Sequence, residues 1–96
     1  MQPPIAGYTR SKAFERDYKK LDAELQKAVD QAILDLLKSP MPAGRRFEKL
    51  KGYKNPNIYT VHVTANHAYK MSLEIRANNI AHLRRIATHR EIDRSP

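Results

Sequence analysis

The strongest constraint on the fold is a change in hydrophobic period near the middle of the chain. In the first half, apolar residues recur about every 3.6 residues, which is the spacing of one face of an α-helix. In the second half they alternate with polar residues, as in a strand with one buried face. The segment Ser39-Pro40-Met41-Pro42 separates the two patterns, and proline cannot continue a helix. A chain of this kind is predicted to form an α+β domain with two layers.

Two helices are predicted before the prolines, and they are joined by almost no loop, which indicates a helical hairpin. Ser11 or Thr9 can cap the first helix, and Asp22 is the predicted N-cap of the second. The apolar stripe of the second helix is wide enough to face a sheet. The stripes consist of Phe14, Tyr18 and Leu21 in the first helix and of Leu25, Ala28, Val29, Ala32, Ile33, Leu36 and Leu37 in the second.

Three strands are predicted after the prolines, and a short edge strand around residues 5–8 precedes the helices. The three strands cover residues 58–64, 69–75 and 80–86, with turns at Ala65-Asn66-His67 and Ala77-Asn78-Asn79. The prediction is therefore an N-terminal two-helix hairpin packed on one face of an antiparallel β-sheet, in the order β-α-α-β-β-β.

Length and composition narrow the class of protein. A chain of 96 residues is predicted to be a single domain spanning residues 1–96, and it has no cysteine for disulfides or thiolate chemistry. No signal peptide and no run of roughly 20 apolar residues is present, so we expect a cytoplasmic protein without a membrane partner. The 18 Lys and Arg residues exceed the 10 Asp and Glu residues, giving a net charge of +8. Such a field attracts polyanions, although many small proteins are basic for no specific reason.

The predicted strands bring two histidines and a lysine towards one cleft. If the apolar residues of the strand over 69–75 face the helices, Lys70 faces the other way, and His62 shares that solvent face on the preceding strand. The last strand would end at His89 and Arg90. Further cations border the cleft from the loop before the sheet and from the C-terminal segment: Lys49, Lys51, Lys54, Arg84, Arg85 and Arg94.

A basic cleft with two imidazoles suits a phosphodiester backbone. Cleaving RNA without a metal needs a base for the 2′-hydroxyl, an acid for the leaving oxygen and a cation for the phosphate. His62 and His89 can divide the two proton transfers between them. Lys70 and Arg90 would then hold the phosphate, and Arg85 is a second candidate for that role. No cofactor is predicted, and no metal either, because the chain has no cysteine and no HxxxH-type pair on a helix. Each residue also has a simpler interpretation, as an exposed histidine, an edge-blunting lysine or a solvated tail.

Roughly residues 11–94 resemble the RelE/ParE toxin superfamily of bacterial toxin–antitoxin systems. The resemblance rests on the two helical segments, on an LKG turn before a Tyr-containing strand, on the pair Tyr69-Lys70 and on the ending Thr88-His89. Within the superfamily, His62 and this ending are most similar to the RelE/YafQ-like mRNA interferases.

The resemblance implies an endoribonuclease that cleaves mRNA in the ribosomal A site, inhibits translation and is neutralised by a cognate antitoxin. It implies that His62 takes a position held by histidine or lysine in family catalytic sites, and that Lys70 replaces an arginine on the scissile phosphate. His89 matches a terminal acid or base, and Arg90 matches the basic residue after it.

The chain departs from the family pattern at several positions. Lysine at position 70 lacks the bidentate fork of arginine, and Ala87 stands where glycine is common. Ile92 and Asp93 occupy the region in which some members carry an aromatic residue. These departures leave open an inactive member that only binds its antitoxin. A second alternative is a ParE-like toxin, which the resemblance implies has the same fold but inhibits DNA gyrase without cutting RNA.

Overall fold

The computed structural model describes residues 5–38, 42–54, 56–64, 66 and 68–96. Within these residues it contains three α-helices and a five-stranded sheet, and none of the helices has the length and apolar character needed to cross a bilayer. The elements in chain order are β1 (Gly7–Arg10), α1 (Lys12–Lys19), α2 (Ala23–Leu36), β2 (Glu48–Lys49), β3 (Tyr59–His62), β4 (Tyr69–Arg76), β5 (Ile80–Thr88) and α3 (His89–Arg94). Short 3₁₀ turns lie at Ala43–Arg45 and Ala77–Asn79.

Side-chain caps set the starts of the first two helices. The Ser11 hydroxyl accepts a hydrogen bond from the backbone N–H of Phe14 at 3.0 Å, so Ser11 is the cap of α1. The Asp22 carboxylate accepts from the N–H of Leu25 at 2.8 Å, which confirms the predicted start of α2. Helix α2 ends at Leu36. The break predicted there falls mostly on Ser39, Pro40 and Met41, which lie outside the described residues.

The sheet has the strand order β1-β5-β4-β3-β2, and the predicted α+β class is confirmed. Strands β2 to β5 form the expected antiparallel meander, to which the structure adds the two-residue β2. Strand β1 covers residues 7–10 rather than 5–8 and pairs in parallel with β5, so the sheet is mixed. A parallel pair needs a long connection, and here the whole intervening chain supplies it. Two of the three residues in the predicted turn 65–67, Ala65 and His67, are outside the described residues.

The core lies between helices α1 and α2 and one face of the sheet. Phe14 of α1 and the inward stripe of α2 are buried against the inward residues of β3, β4 and β5. Burial of this apolar surface is the main stabilising contribution to such a domain. The buried cluster consists of Ile5, Phe14, Val29, Ala32, Ile33, Leu36, Val61, Val63, Met71, Leu73, Ala81, Leu83 and Ile86.

The second face of the sheet is also buried, which corrects the expectation that His62 and Lys70 face solvent. Both residues are only 6% exposed, and the neighbouring polar residues on that face are equally covered. Helix α3 is the reason at the Lys70 end, where it packs on β4 and β5 and buries Ile92 completely, whereas Glu74 at the other end pairs with Arg76 and Arg84. The other buried polar residues of this face are Thr60, Ser72 and Glu74.

The C-terminal segment also differs from the predicted structure. The last strand ends at Thr88, and His89 and Arg90 are the first residues of a helix rather than the end of a strand. Thr88 caps this helix, because its hydroxyl accepts from the N–H of Glu91 at 3.3 Å and donates to the Glu91 carboxylate at 3.0 Å.

Partial burial of His82 makes stability depend on pH. Oγ1 of Thr9 and Nδ1 of His82 lie 2.8 Å apart and link β1 to β5. The pKa of His82 is lowered by burial first and then by the positive charges of Arg76 and Arg84. The unfolded chain therefore takes up a proton more readily than the folded one, and stability is lost as the pH falls through about 6.5.

We expect urea unfolding between about pH 7 and 5 to show this loss, and His82→Gln to flatten it. Glu74 and Asp35 do not interfere, because their carboxyl pKa values are lowered and they titrate at more acidic pH. A wild-type unfolding free energy that is constant across this window would contradict the assignment.

Candidate functional site

Four side chains form what we call the histidine cluster: His62, Lys70, His89 and Asp93. Strand pairing places His62 directly opposite Lys70 across β3 and β4. Helix α3 adds His89, whose ring lies edge-on to that of His62 with 5.7 Å between the ring centroids. Three of the four predicted catalytic residues are therefore brought together, although they are widely separated in the chain.

Asp93 joins the cluster through both of its carboxylate oxygens. Oδ1 accepts from the Lys70 ammonium at 3.0 Å, and Oδ2 lies 2.8 Å from Nδ1 of His89. His89 and Asp93 are four residues apart, so they lie on one face of α3. The carboxylate thus bridges the lysine of β4 and the imidazole of α3.

The cluster has a buried floor and an exposed rim. His62 and Lys70 form the floor, whereas the side chains of His89 and Asp93 are 45% and 44% exposed. A buried ammonium is stable only if it is paired, and Asp93 is the partner of Lys70. A ligand can consequently approach from the side of His89.

Arg90, the fourth predicted catalytic residue, lies outside these contacts. It is exposed in the first turn of α3, and within the described residues its side chain makes no hydrogen bond or ion pair. Its guanidinium is exposed, but adjacent residues of a helix do not share a face, so its neighbour His89 does not bring Arg90 into the cluster.

A partly buried arginine supports the end of β3 that carries His62. Nη1 of Arg45 donates to the carbonyl oxygens of His62 at 3.3 Å and of Val63 at 2.8 Å. Its Nε pairs with the buried carboxylate of Asp35 at 2.9 Å. Through Arg45, the end of α2 is therefore tied to the strand end that carries His62.

The basic residues predicted to bind RNA divide into two groups. Lys49, Lys51 and Lys54 are exposed and, together with Tyr53, line a shallow groove in the loop after β2. Arg94 is exposed on α3. These four cations are free to contribute to an attractive field for a polyanion.

Arg84 and Arg85 form the second group, since both are engaged by carboxylates. Nη1 of Arg84 lies 2.7 Å from Glu74, whose carboxylate is buried. Arg85 donates to both oxygens of Asp17 in α1, at 3.0 and 3.2 Å, and so links α1 to the sheet. These two arginines hold the fold together in addition to adding positive charge.

Two buried hydroxyls lie beside the cluster on the same sheet face. Thr60 and Ser72 are opposite each other across β3 and β4, two register positions from the pair of His62 and Lys70. Neither hydroxyl has a hydrogen-bond partner within the described residues. No group of three or more His, Asp or Glu side chains in the described part of the chain is arranged to hold a metal ion.

Asp93 is the residue that sequence reasoning missed. The sequence leaves open whether the segment after the last strand is a solvated tail, and a strand that is predicted to end at His89 and Arg90 gives Asp93 no role. The capping pair Thr88 and Glu91, with acceptor and donor three residues apart, was the available signal for a helix. Once that helix is recognised, the spacing of His89 and Asp93 predicts their contact.

The arrangement can transfer protons and hold an anion. Two imidazoles 5.7 Å apart can serve the two sides of one reacting group, and each can act as acid or base near neutral pH. The lysine supplies positive charge for a phosphate. This is the set of groups that metal-independent RNA cleavage requires.

Neither a family model nor a curated protein sequence matches the chain. Solved structures do match it along most of its length. A chain of the RelB-RelE antitoxin–toxin complex from Methanococcus jannaschii has a TM-score of 0.67 and 23% identity, covering 92% of this chain and 99% of its own. The archaeal RelE-RelB complex from Pyrococcus horikoshii gives a TM-score of 0.67 at 11% identity, with coverage of 90% and 96%.

The intact RelBE toxin–antitoxin complex from E. coli gives a TM-score of 0.65 at 13% identity, with coverage of 88% of this chain and 96% of its own. These matches extend over the helices and the sheet together and agree with the resemblance seen in the sequence. The chain therefore has the fold of the RelE toxins.

Proposed function

We propose that this protein is the toxin of a toxin–antitoxin system and that it is an endoribonuclease that cleaves mRNA, on the ribosome, without a metal ion. The observation that carries the proposal is the histidine cluster, with two imidazoles 5.7 Å apart beside a buried lysine. The RelE fold supports the same conclusion, because the similar structures come from toxin–antitoxin complexes.

The reaction follows from the groups present. One histidine accepts the proton of the 2′-hydroxyl while that oxygen attacks the adjacent phosphorus. The bond from phosphorus to the 5′-oxygen breaks, and the other histidine gives a proton to the leaving oxygen. Lys70 and Arg90 stabilise the negative charge on the phosphate. The products are a 2′,3′-cyclic phosphate and a 5′-hydroxyl.

The substrate and partner follow from charge. The exposed Lys49, Lys51, Lys54 and Arg94 lie on a chain of net charge +8, which favours RNA over a neutral ligand. Arg84 and Arg85 contribute to the same field from their ion pairs. A cognate antitoxin that covers this surface with acidic groups would compete with RNA, and the RelB partners of the similar structures support such a partner.

The test is to incubate the purified protein with mRNA, with and without ribosomes and in the presence of EDTA. We expect discrete cuts that persist in EDTA, and fragments whose 5′ ends can be ligated only after phosphorylation. Intact mRNA together with loss of gyrase supercoiling would instead establish the ParE-like alternative. Intact mRNA and normal gyrase activity, with antitoxin binding retained, would establish an inactive family member.

A further inference from the structure

The contact between Asp93 and His89 determines which ring nitrogen of His89 carries the proton, and its consequence for catalysis rests on the proposed function. The ionised carboxylate of Asp93 can only accept hydrogen bonds. Its Oδ2 lies 2.8 Å from Nδ1 of His89, so Nδ1 must carry the proton in this contact. In the neutral ring, Nε2 is then left with a lone pair.

Lys70 keeps the carboxylate in this position. Its ammonium occupies Oδ1 of Asp93 at 3.0 Å, and only 7% of the lysine side chain is exposed. The lysine is fixed in the centre of the sheet by β4, which pairs with β3 and β5. Although Asp93 is itself 44% exposed, one oxygen is held by the lysine and the other by the imidazole, which restricts rotation of the carboxylate.

We propose that Asp93 is a positioning residue that holds His89 in the Nδ1–H form, so that His89 is the base of RNA cleavage and His62 is the acid. Nε2 of His89 takes the proton of the 2′-hydroxyl, and the 2′-oxygen forms the new bond to phosphorus. The bond from phosphorus to the 5′-oxygen breaks, and that oxygen keeps the electron pair and takes a proton from His62. The count of protons balances within the two imidazoles.

Asp93 also affects substrate binding: it supports proton transfer by His89 but weakens the binding of RNA. Its negative charge partly neutralises Lys70, the cation nearest to the two imidazoles. Removing that charge should leave RNA binding unchanged or tighter, because phosphate is no longer repelled. A residue that merely stabilised the fold would not lower kcat while leaving KM unchanged or lower.

Asp93→Asn separates these effects with little change in shape. The Lys70 ammonium requires an acceptor, so the amide oxygen faces Lys70 and the amide N–H₂ faces His89. Nδ1 of His89 must then accept, which moves the ring proton to Nε2 and removes the lone pair needed by the base. We expect kcat to fall about 100-fold or more and KM not to rise.

Nitrogen-15 NMR of the histidine rings, at a pH where they are neutral, reads the proton position directly in the full-length protein. We expect a protonated Nδ1 on His89 in the wild type and a protonated Nε2 in Asp93→Asn. Glu91→Gln is the matched control, since it removes a carboxylate from the same helix, touches neither His89 nor Lys70, and retains a capping side chain.

The outcomes separate this inference from the proposed function. Full kcat in Asp93→Asn, or a wild-type His89 protonated on Nε2, would overturn the role of Asp93 while RNA cleavage by the wild type stands. The wild-type spectrum decides the point even if the variant fails to fold. If the wild type cuts no RNA, the proposed function fails, and the base assignment fails with it.

Discussion

His62→Ala and His89→Ala are each expected to lower the rate of RNA cleavage by roughly 10²- to 10⁴-fold, because each removes one of the two proton transfers. The double variant should lose little more than the worse single variant, since the two imidazoles act in one step. The measurement is single-turnover cleavage of a defined mRNA, with far-ultraviolet circular dichroism to verify the fold. Toxicity on induction should fall in parallel.

The control for these variants is His82→Gln. His82 is a histidine of the same sheet, but it contacts Thr9 at the β1 edge and does not belong to the cluster. We expect it to cleave at close to the wild-type rate at neutral pH. If His62→Ala and His89→Ala both retain full cleavage and toxicity, acid–base catalysis by these residues is wrong.

Arg45→Ala is expected to have the largest effect on stability, about 2–3 kcal/mol. The variant removes the guanidinium from the buried Asp35 and leaves the carbonyls of His62 and Val63 without their donor. For a domain of this size, the melting temperature should fall by roughly 10–20 °C. Because the same contacts hold the end of β3, we also expect slower cleavage at temperatures where the variant remains folded.

The pH dependence of the Asp35 site gives a second readout. The pKa of the Asp35 carboxyl is lowered to about 2, first by the hydrogen bond from Lys38, against the opposing effect of burial, and then by Arg45 and Gln31. Its folded pKa lies below the unfolded value, so its stabilisation is complete above about pH 4 and is lost as the pH falls towards 2. Arg45→Ala should weaken this acid dependence.

Lys38→Ala is the matched control, because Lys38 pairs with the same carboxylate at 2.9 Å. Its side chain is 56% exposed, whereas that of Arg45 is only 18% exposed. The hydrogen bond from Lys38 lowers the pKa of Asp35, but the ammonium is solvated and water replaces it when it is removed, so we expect a loss of at most about 1 kcal/mol. An effect of Lys38→Ala as large as that of Arg45→Ala would show that the less exposed Arg45 guanidinium has no special role.

Local sequence patterns were sufficient for most of the secondary structure. The caps at Ser11 and Asp22, the stripe of α2 and the alternation of β4 all depend on residues within one or two turns of each other. Those same patterns could not reveal α3, because a six-residue helix is too short to show a period. Its only local signal was the capping pair of Thr88 and Glu91.

In the candidate site, too, some features follow from local sequence patterns and others depend on contacts between distant segments. Alternation along β3 and β4 correctly placed His62 and Lys70 on the same face, and their pairing is observed. Their burial was not predictable from that alternation, since it depends on α3 covering the face. The role of Asp93 as partner of Lys70 joins residues 23 positions apart, and no local spacing encodes such a contact.

By itself, the sequence determined the α+β class, the two-helix hairpin, the antiparallel meander and the identity of two histidines and a lysine as candidate residues. Those conclusions rest on hydrophobic period and strand parity, which are properties of neighbouring residues. Only the tertiary structure decided that β1 pairs in parallel with β5, that α3 closes the second face and that one carboxylate joins Lys70 to His89. These features are contacts between distant segments, and their free energies depend on packing geometry that local spacing does not specify.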